Sequence, residues 1–271
     1  MAWSERQASM LKEMGLRVEV VPSAAPAVER AAPAAVPATV ARAAPIKSMA
    51  PAATVGAMLP ARTPSAETRS DAMRIAAMDW PELRSAVASC RACQLCEGRT
   101  QTVFGVGHVH AHWMVVGEAP GEQEDAQGEP FVGKSGQLLD NMLRALGLSR
   151  DAAFVDPSKC VYIANSVKCR PPGNRNPAAD ELAQCEPFLM RQVALLQPKI
   201  ILAMGRFAVQ SLLRSTDPIG KLRGRVHHYQ GVPLIVTYHP AYLLRNLEEK
   251  ARAWDDLCLA AQTYDAQLLK S

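Results

Sequence analysis

Short apolar runs alternate with stretches of helical period from about residue 71 to the end of the chain. Residues 113–116, 161–164, 200–203 and 234–236 are each a continuous apolar run, ending at or just before Gly117, Asn165, Gly205 and Thr237. Continuous short runs of this kind read as strands covered on both faces. Between them apolar residues recur every three or four positions, which predicts helices over 80–89, 178–196, 205–213 and 247–269. Another helix is predicted behind Ser135 as N-cap, carrying Leu138, Leu139, Met142, Leu143 and Leu146 on one face. Strands alternating with helices imply βα units. The expected fold is α/β, a three-layer α/β/α sandwich around a central, mostly parallel four-stranded sheet.

The first 70 residues have a different pattern. Residues 1–20 contain a short helical candidate over 4–16, with Met10, Leu11 and Met14 near one face. Residues 21–70 are dominated by Ala, Pro and Val, which break helices and bury little surface, and they read as a disordered linker. The compact region is expected over 71–271. Gln7-Ala8-Ser9-Met10-Leu11 looks like the pentapeptide by which bacterial repair proteins grip the sliding clamp.

Composition adds a few bounds. Of 271 residues 48% are hydrophobic, enough for a sizeable core, and the net charge of +4 suits a nucleic-acid partner without requiring one. No apolar run approaches the roughly 18–20 residues of a membrane span, and the N-terminus lacks the basic start and apolar core of a signal peptide. A cytoplasmic protein is expected, and there seven cysteines point to metal or redox chemistry rather than disulfides.

The candidate chemistry lies at the strand ends. The carboxyl ends of parallel strands share one edge, where open α/β sheets bind ligands. Glu118 follows the first strand, Asn165 the second, Gly205 the third and His239 the fourth. A carboxylate, an amide and an imidazole thus converge from distant parts of the chain, beside the Gly-rich acidic loop GEAPGEQEDAQGEPFVGKSG with its isolated Phe131. The segment Gly128 to Ser135, GEPFVGKS, fits the spacing of the phosphate-cradling pattern GxxxxGK[ST], but it does not directly follow an apolar strand, the context that pattern requires, so a nucleotide-phosphate enzyme is the weaker reading.

Cys90 and Cys93 form a CxxC, and Cys169 and Cys185 flank a Pro-, Asn- and Arg-rich loop. Two distant pairs can supply four thiolates to one centre; zinc and a [4Fe-4S] cluster both fit such a set. Cys96 is a rival ligand, and Cys258 falls in a helical, core-like pattern. A zinc-containing nucleic-acid-binding module without catalysis would explain the cysteines, but not the three polar residues on one edge.

Five ordered blocks resemble the family 4 uracil-DNA glycosylases, the iron–sulfur branch of that superfamily: CRACQLCEGRTQTVFGVG, GEAPGEQEDAQGEPFVGKSGQLLDNML, ANSVKCRPPGNRNP with Cys185 following, MGRFA, and TYHPAYLLRN. The resemblance runs from about Leu83 to the C-terminus. It implies a uracil-DNA glycosylase-like fold for 71–271 and a [4Fe-4S] cluster on Cys90, Cys93, Cys169 and Cys185. It also implies hydrolysis of the N-glycosidic bond of uracil in DNA; the expected substrate is single- or double-stranded, and the protein is expected to be a monomer in the cytoplasm at the nucleoid.

The residue types suit that chemistry. A flipped base is read on its pairing edge. Phe131 can stack on it, within a wall that includes Gly117 and Ala119, and Asn165 can match uracil O4 and N3–H where cytosine presents the reverse pattern. His239 can stabilise negative charge growing at O2, and Glu118 can stabilise the sugar cation or position water. In the best-known branch of the superfamily a water-activating Asp occupies the position filled here by Ala119. The role therefore falls on Glu118, on another carboxylate such as Glu124, or on bound water alone, with Glu118 favoured. Residues near Glu124 are candidates for excluding the thymine methyl. Lys134, Ser135, Arg170, Arg175 and Arg245 are candidate phosphate contacts, and Leu244, with Leu243, a candidate wedge into the base stack.

Overall fold

A computed structural model describes residues 66–269 apart from 152, 154 and 155; the helical tail, the clamp-like pentapeptide and most of the Ala/Pro-rich segment lie outside the described residues. The chain enters through helices α1 (Ala66–Ala77), α2 (Trp80–Ala88) and α3 (Leu95–Gly98), then strands β1 (Val106–Gly107) and β2 (Trp113–Gly117). Helices α4 (Glu122–Gln127) and α5 (Lys134–Ala145) lead to β3 (Val161–Asn165), α6 (Ala179–Leu196), β4 (Ile200–Met204), α7 (Arg206–Leu213) and α8 (Ile219–Leu222). The hairpin β5 (Val226–Tyr229) and β6 (Val232–Thr237) is followed by α9 (Pro240–Leu243) and α10 (Glu249–Leu268).

The strands form one sheet of order β1-β3-β2-β4-β6-β5. The four predicted strands are its parallel centre. The expected four-stranded sheet is corrected to a mixed one of six, because β1 and β5 pair antiparallel at the two edges. Neither edge strand carries an apolar run: β1 is a Val-Gly pair and β5 reads Val-His-His-Tyr, half exposed.

Alternate residues of the central strands feed two cores, which makes the three layers. Val115, Ile163, Leu202 and Ile235 face α5 and α10, packing on Leu139, Met142, Trp254 and Leu257. Val116, Ala164, Ala203 and Val236 face α6 and α7, packing on Leu189, Val193, Val209 and Leu212. Each such side chain, taken fully out of water, contributes roughly 1.5–3 kcal/mol. A third cluster joins α2 and α3 to α6 through Leu83, Val87, Leu95, Phe188 and the cysteines Cys169 and Cys185.

Three local readings are revised. Helix α1 begins at Ala66, ahead of the expected start near 71, and its Ile75 is buried. The loop after β2 is not continuous coil: α4 occupies its middle, closed by Gly128 at φ 78°. Ser135 does not cap α5; Gly133 stands at the N-cap and Ser135 lies inside the first turn.

Candidate active site

Gly117 and Asn165 are opposite each other in the β2–β3 ladder, so the ends of two chain segments are aligned by backbone hydrogen bonds. Beyond them Ser166 donates from both N–H and Oγ to the Gly117 carbonyl, each at 3.0 Å, and the Val167 N–H donates to the Glu118 carbonyl at 3.2 Å. These bonds hold the start of the Gly-rich loop against the segment that bears Asn165.

The loop folds back on Glu124. Its Oε2 accepts the Gly121 N–H at 3.1 Å, and its Oε1 accepts the N–H groups of Val132 and Gly133 at 3.0 and 3.2 Å. With three backbone donors on its carboxylate, Glu124 serves as a staple across the loop, which argues against it as the water-activating group. The staple sets the approach to Phe131, whose φ of 56° is left-handed and strained for a bulky residue. Two glycines make room for that conformation. A Cβ on Gly136 would lie 1.7 Å from the Phe131 carbonyl oxygen, and one on Gly117 would lie 2.7 Å from the Phe131 ring.

His239 caps the short α9, its Nδ1 accepting the Ala241 N–H at 3.2 Å. An accepting Nδ1 leaves the ring proton on Nε2. Burial, helped by the Arg245 charge, pulls this imidazole down to about 4, so it is neutral at pH 7. Its ring stacks with Phe131, centroids 5.3 Å apart and planes 28° from parallel. Gly205 gives the His239 side chain room: a Cβ there would stand 3.1 Å from that of His239. Burial pushes the Glu118 carboxyl above the usual range, opposed by the Arg206 guanidinium.

These groups line one cleft of about 810 Å³. Of the residues expected from sequence, Glu118, Ala119, Phe131, Ser135, Asn165, His239 and Arg245 line it, and Gly117 packs beneath Phe131 and Asn165. The Asn165 Oδ1 is buried and has no hydrogen-bond partner among the described residues. A buried acceptor left unmatched costs about 1–3 kcal/mol, so it is an acceptor held ready for a ligand N–H.

The expected DNA contacts divide. Lys134 and Leu244 are exposed and lie outside the cleft lining. Arg170 donates to Asn174 Oδ1 at 2.8 Å and stands 3.8 Å from Glu122. Arg175 is paired with Glu181, Nη2 to Oε1 at 2.6 Å, and Glu181 also accepts the Ala178 N–H at the start of α6, so this arginine steadies a helix end. Leu243 is fully buried and belongs to the core. The cleft also contains residues given no role from sequence: Arg206, Phe207, Tyr238, Tyr242, Asn174 and Asn176. The MGRFA block contains the first two, the TYHPAYLLRN block contains Tyr238 and Tyr242, which stack at 5.0 Å, and ANSVKCRPPGNRNP contains both asparagines; none had been given a role of its own.

A second pocket is lined by Cys90, Cys93, Cys96, Cys169 and Cys185, with Arg99, Lys168 and Phe188. Arg99 Nη1 donates to the Cys169 sulfur at 3.0 Å, and the Lys168 N–H donates to the Cys185 sulfur at 3.3 Å. Burial pushes the Cys93, Cys169 and Cys185 thiols up, Cys185 to about 12. They become thiolates only when a metal centre takes their protons. Among the described residues no group of three or more His, Cys, Asp or Glu side chains converges closely enough to hold a metal ion as it stands.

The comparisons with known proteins agree with this geometry. Residues 104–258 match the family model described as the uracil DNA glycosylase superfamily. The chain is 40% identical to a type-4 uracil-DNA glycosylase of Sulfurisphaera tokodaii, over 68% of this chain and 86% of that protein. It is 41% identical to the type-4 enzyme of Thermotoga maritima, over 61% of this chain and 83% of that protein. A type-5 uracil-DNA glycosylase of Pyrobaculum aerophilum is 35% identical over 51% of this chain and 64% of its own length. The cleft at the strand ends and the matched segment coincide, and the chain belongs to the uracil-DNA glycosylase superfamily.

Proposed function

We propose that this chain is a type-4 uracil-DNA glycosylase, which hydrolyses the N-glycosidic bond of uracil in DNA and leaves an abasic site for base-excision repair. The observation that carries the reading is the partnerless, buried Asn165 Oδ1, set in a cleft beside stacked Phe131 and His239. Such an acceptor fits uracil N3–H, while the amide N–H₂ fits O4; cytosine would leave both groups unmatched.

The neutral His239 donates its Nε2–H to uracil O2, where negative charge grows as the bond breaks. A donor already aimed there lowers the barrier without reorganisation. Glu118 supplies the carboxylate that faces the sugar cation or orders the attacking water, the role that Ala119 cannot fill. Lys134, Ser135, Arg170 and Arg245 offer N–H donors and charge to the phosphates, and Leu244 an exposed apolar tip to the base stack. The substrate is single- or double-stranded DNA. The protein acts as a monomer in the cytoplasm at the nucleoid, and among the described residues no helix is long and apolar enough to cross a membrane.

The cysteine pocket fits a [4Fe-4S] cluster held by Cys90, Cys93, Cys169 and Cys185. Two observations support that fit: N–H donors aimed at two of the sulfurs, and cationic Arg99 and Lys168 beside a site of net thiolate charge. Such second contacts tune thiolate-ligated iron. Thiols spread around a pocket also suit a cluster better than one zinc ion, which draws every sulfur to ~2.3 Å. The cluster supplies structure there, tying the segment before α3 to the loop before α6.

The deciding experiment incubates a uracil-containing oligonucleotide with the protein and then cleaves abasic sites with alkali. Strand breaks at the uracil position, without added metal, are expected. An uncut oligonucleotide at enzyme excess overturns the reading.

A further inference from the structure

Lys168 is 1% exposed, among the most deeply buried of the described side chains, yet no carboxylate of the described residues pairs with it. A buried ammonium costs several kcal/mol unless polar groups compensate it, so its surroundings show what it is for. Its Nζ donates to the Asn165 carbonyl at 2.9 Å and to Gln192 Oε1 at 2.6 Å. Gln192, itself fully buried, donates in turn to the Phe104 carbonyl at 2.9 Å and to the Tyr162 hydroxyl at 3.2 Å. The lysine's own backbone is fixed at both ends: its N–H donates to the Cys185 sulfur, and its carbonyl accepts the Val103 N–H at 2.8 Å. Every one of these bonds is buried or tied to the sheet.

The consequence is a short mechanical link. The base-reading residue Asn165 and the cysteine Cys169 are four positions apart in the chain, and Lys168, the neighbour of Cys169, bonds the Asn165 carbonyl through its ammonium and the Cys185 sulfur of the same pocket through its backbone N–H. Asn165 has left the strand ladder at its carbonyl, where a free strand end would turn with the loop; the ammonium closes that turn from inside. We propose that Lys168 is a positioning residue for uracil recognition: it pins the Asn165 carbonyl, and so the direction of the Asn165 amide, to the wall of the cysteine pocket. The inference rests on the uracil reading of the cleft and assigns a role within it to a residue that touches neither base nor sugar.

The test compares the parent protein with Lys168→Met, which keeps length and apolar bulk but donates nothing, and Lys168→Gln, which keeps a neutral donor. Four quantities are read: free-uracil affinity, abasic-DNA affinity, single-turnover excision, and absorbance near ~400 nm per protein, the signature of thiolate-ligated iron–sulfur. Loss of a hydrogen bond from a charged donor typically costs about 10- to 100-fold. Lys168→Met is expected to weaken uracil binding and slow excision by that factor, with abasic-DNA affinity and absorbance within twofold of the parent, and Lys168→Gln to recover part of the loss. Unchanged uracil affinity in Lys168→Met overturns the proposal. So does loss of absorbance in parallel with activity, since the lysine would then serve the cysteine pocket alone. If Lys168→Met is insoluble, Lys168→Gln decides by the same readings: a partial loss of uracil affinity with parental absorbance supports the proposal, and parental uracil affinity or a loss shared with absorbance overturns it. A parent protein that excises no uracil would instead overturn the reading of the cleft, a distinct result.

Discussion

A Cβ placed on Gly117 would stand 2.4 Å from the Oδ1 of Asn165, its partner across the ladder. The Asn165 amide occupies the space that a side chain at 117 would take. Gly117→Ala must therefore turn the amide or push the Phe131 ring, which the same Cβ would approach to 2.7 Å. A misaligned acceptor loses about 1–3 kcal/mol. Excision, measured as kcat/KM on a uracil oligonucleotide, should fall roughly 10- to 100-fold on that basis, while the melting temperature moves little.

The pH dependence separates His239 from Glu118. The His239 imidazole sits at about 4 against an ordinary 6.5, so in the unfolded chain it takes up a proton first as pH falls. Stability is then complete above about pH 6.5 and declines toward pH 4, by at most about 3 kcal/mol. Urea melts at pH 7 and pH 4.5 should show that decline, and His239→Gln should flatten it.

Glu118 has a raised carboxyl pKa from burial, and it must be ionised to face a cation. The excision rate should drop with acid at a pH above that of an ordinary glutamate, with no titration near 6.5 from histidine. Glu118→Gln should remove this acid limb and leave a slower, pH-flat rate. A limb that survives in Glu118→Gln would assign water activation elsewhere.

The neighbouring leucines should behave oppositely. Leu243 is fully buried against α5 and α10, and truncation of such a residue costs about 2–5 kcal/mol. Leu243→Ala should lower the melting temperature strongly. Leu244 is 41% exposed; Leu244→Ala should leave the melt unchanged and slow excision from duplex more than from single strands. Arg245→Ala should weaken DNA binding and flatten its salt dependence.

The cysteines predict a spectroscopic pattern. Alanine at Cys90, Cys93, Cys169 or Cys185 should abolish absorbance near ~400 nm. Cys258, packed against the main core on the far side of the sheet, and Cys96, the fifth thiol of the pocket, should tolerate serine with the absorbance retained. Arg99→Met, which removes the donor to Cys169, should shift or weaken the band rather than abolish it.

What the sequence made legible follows from how each feature is encoded. The central strands are covered on both faces, so each is a continuous apolar run, and the polar residues just past their ends mark the edge where the cleft lies. Edge strands β1 and β5 carry no such run because one side meets solvent or loop, and nothing distinguished Val226-His227-His228-Tyr229 from a turn. Glu124 resisted for another reason. Its partners are backbone N–H groups of Gly121, Val132 and Gly133, which every sequence possesses, so a staple looked the same as a candidate base. Arg175 read as a phosphate contact because its partner, Glu181, is six positions away and joins it only through the turn into α6.

The Glu124 staple has a thermodynamic consequence. A loop already closed on itself spends no ordering entropy when a base arrives, so the wall meets its guest as a rigid mould rather than a hand that shuts. Discrimination then comes from what fails to fit, not from a closure step that wrong bases fail to trigger. Free uracil and uracil still attached to DNA should meet the same mould, and the rank order of bases as inhibitors should match their rank order as substrates.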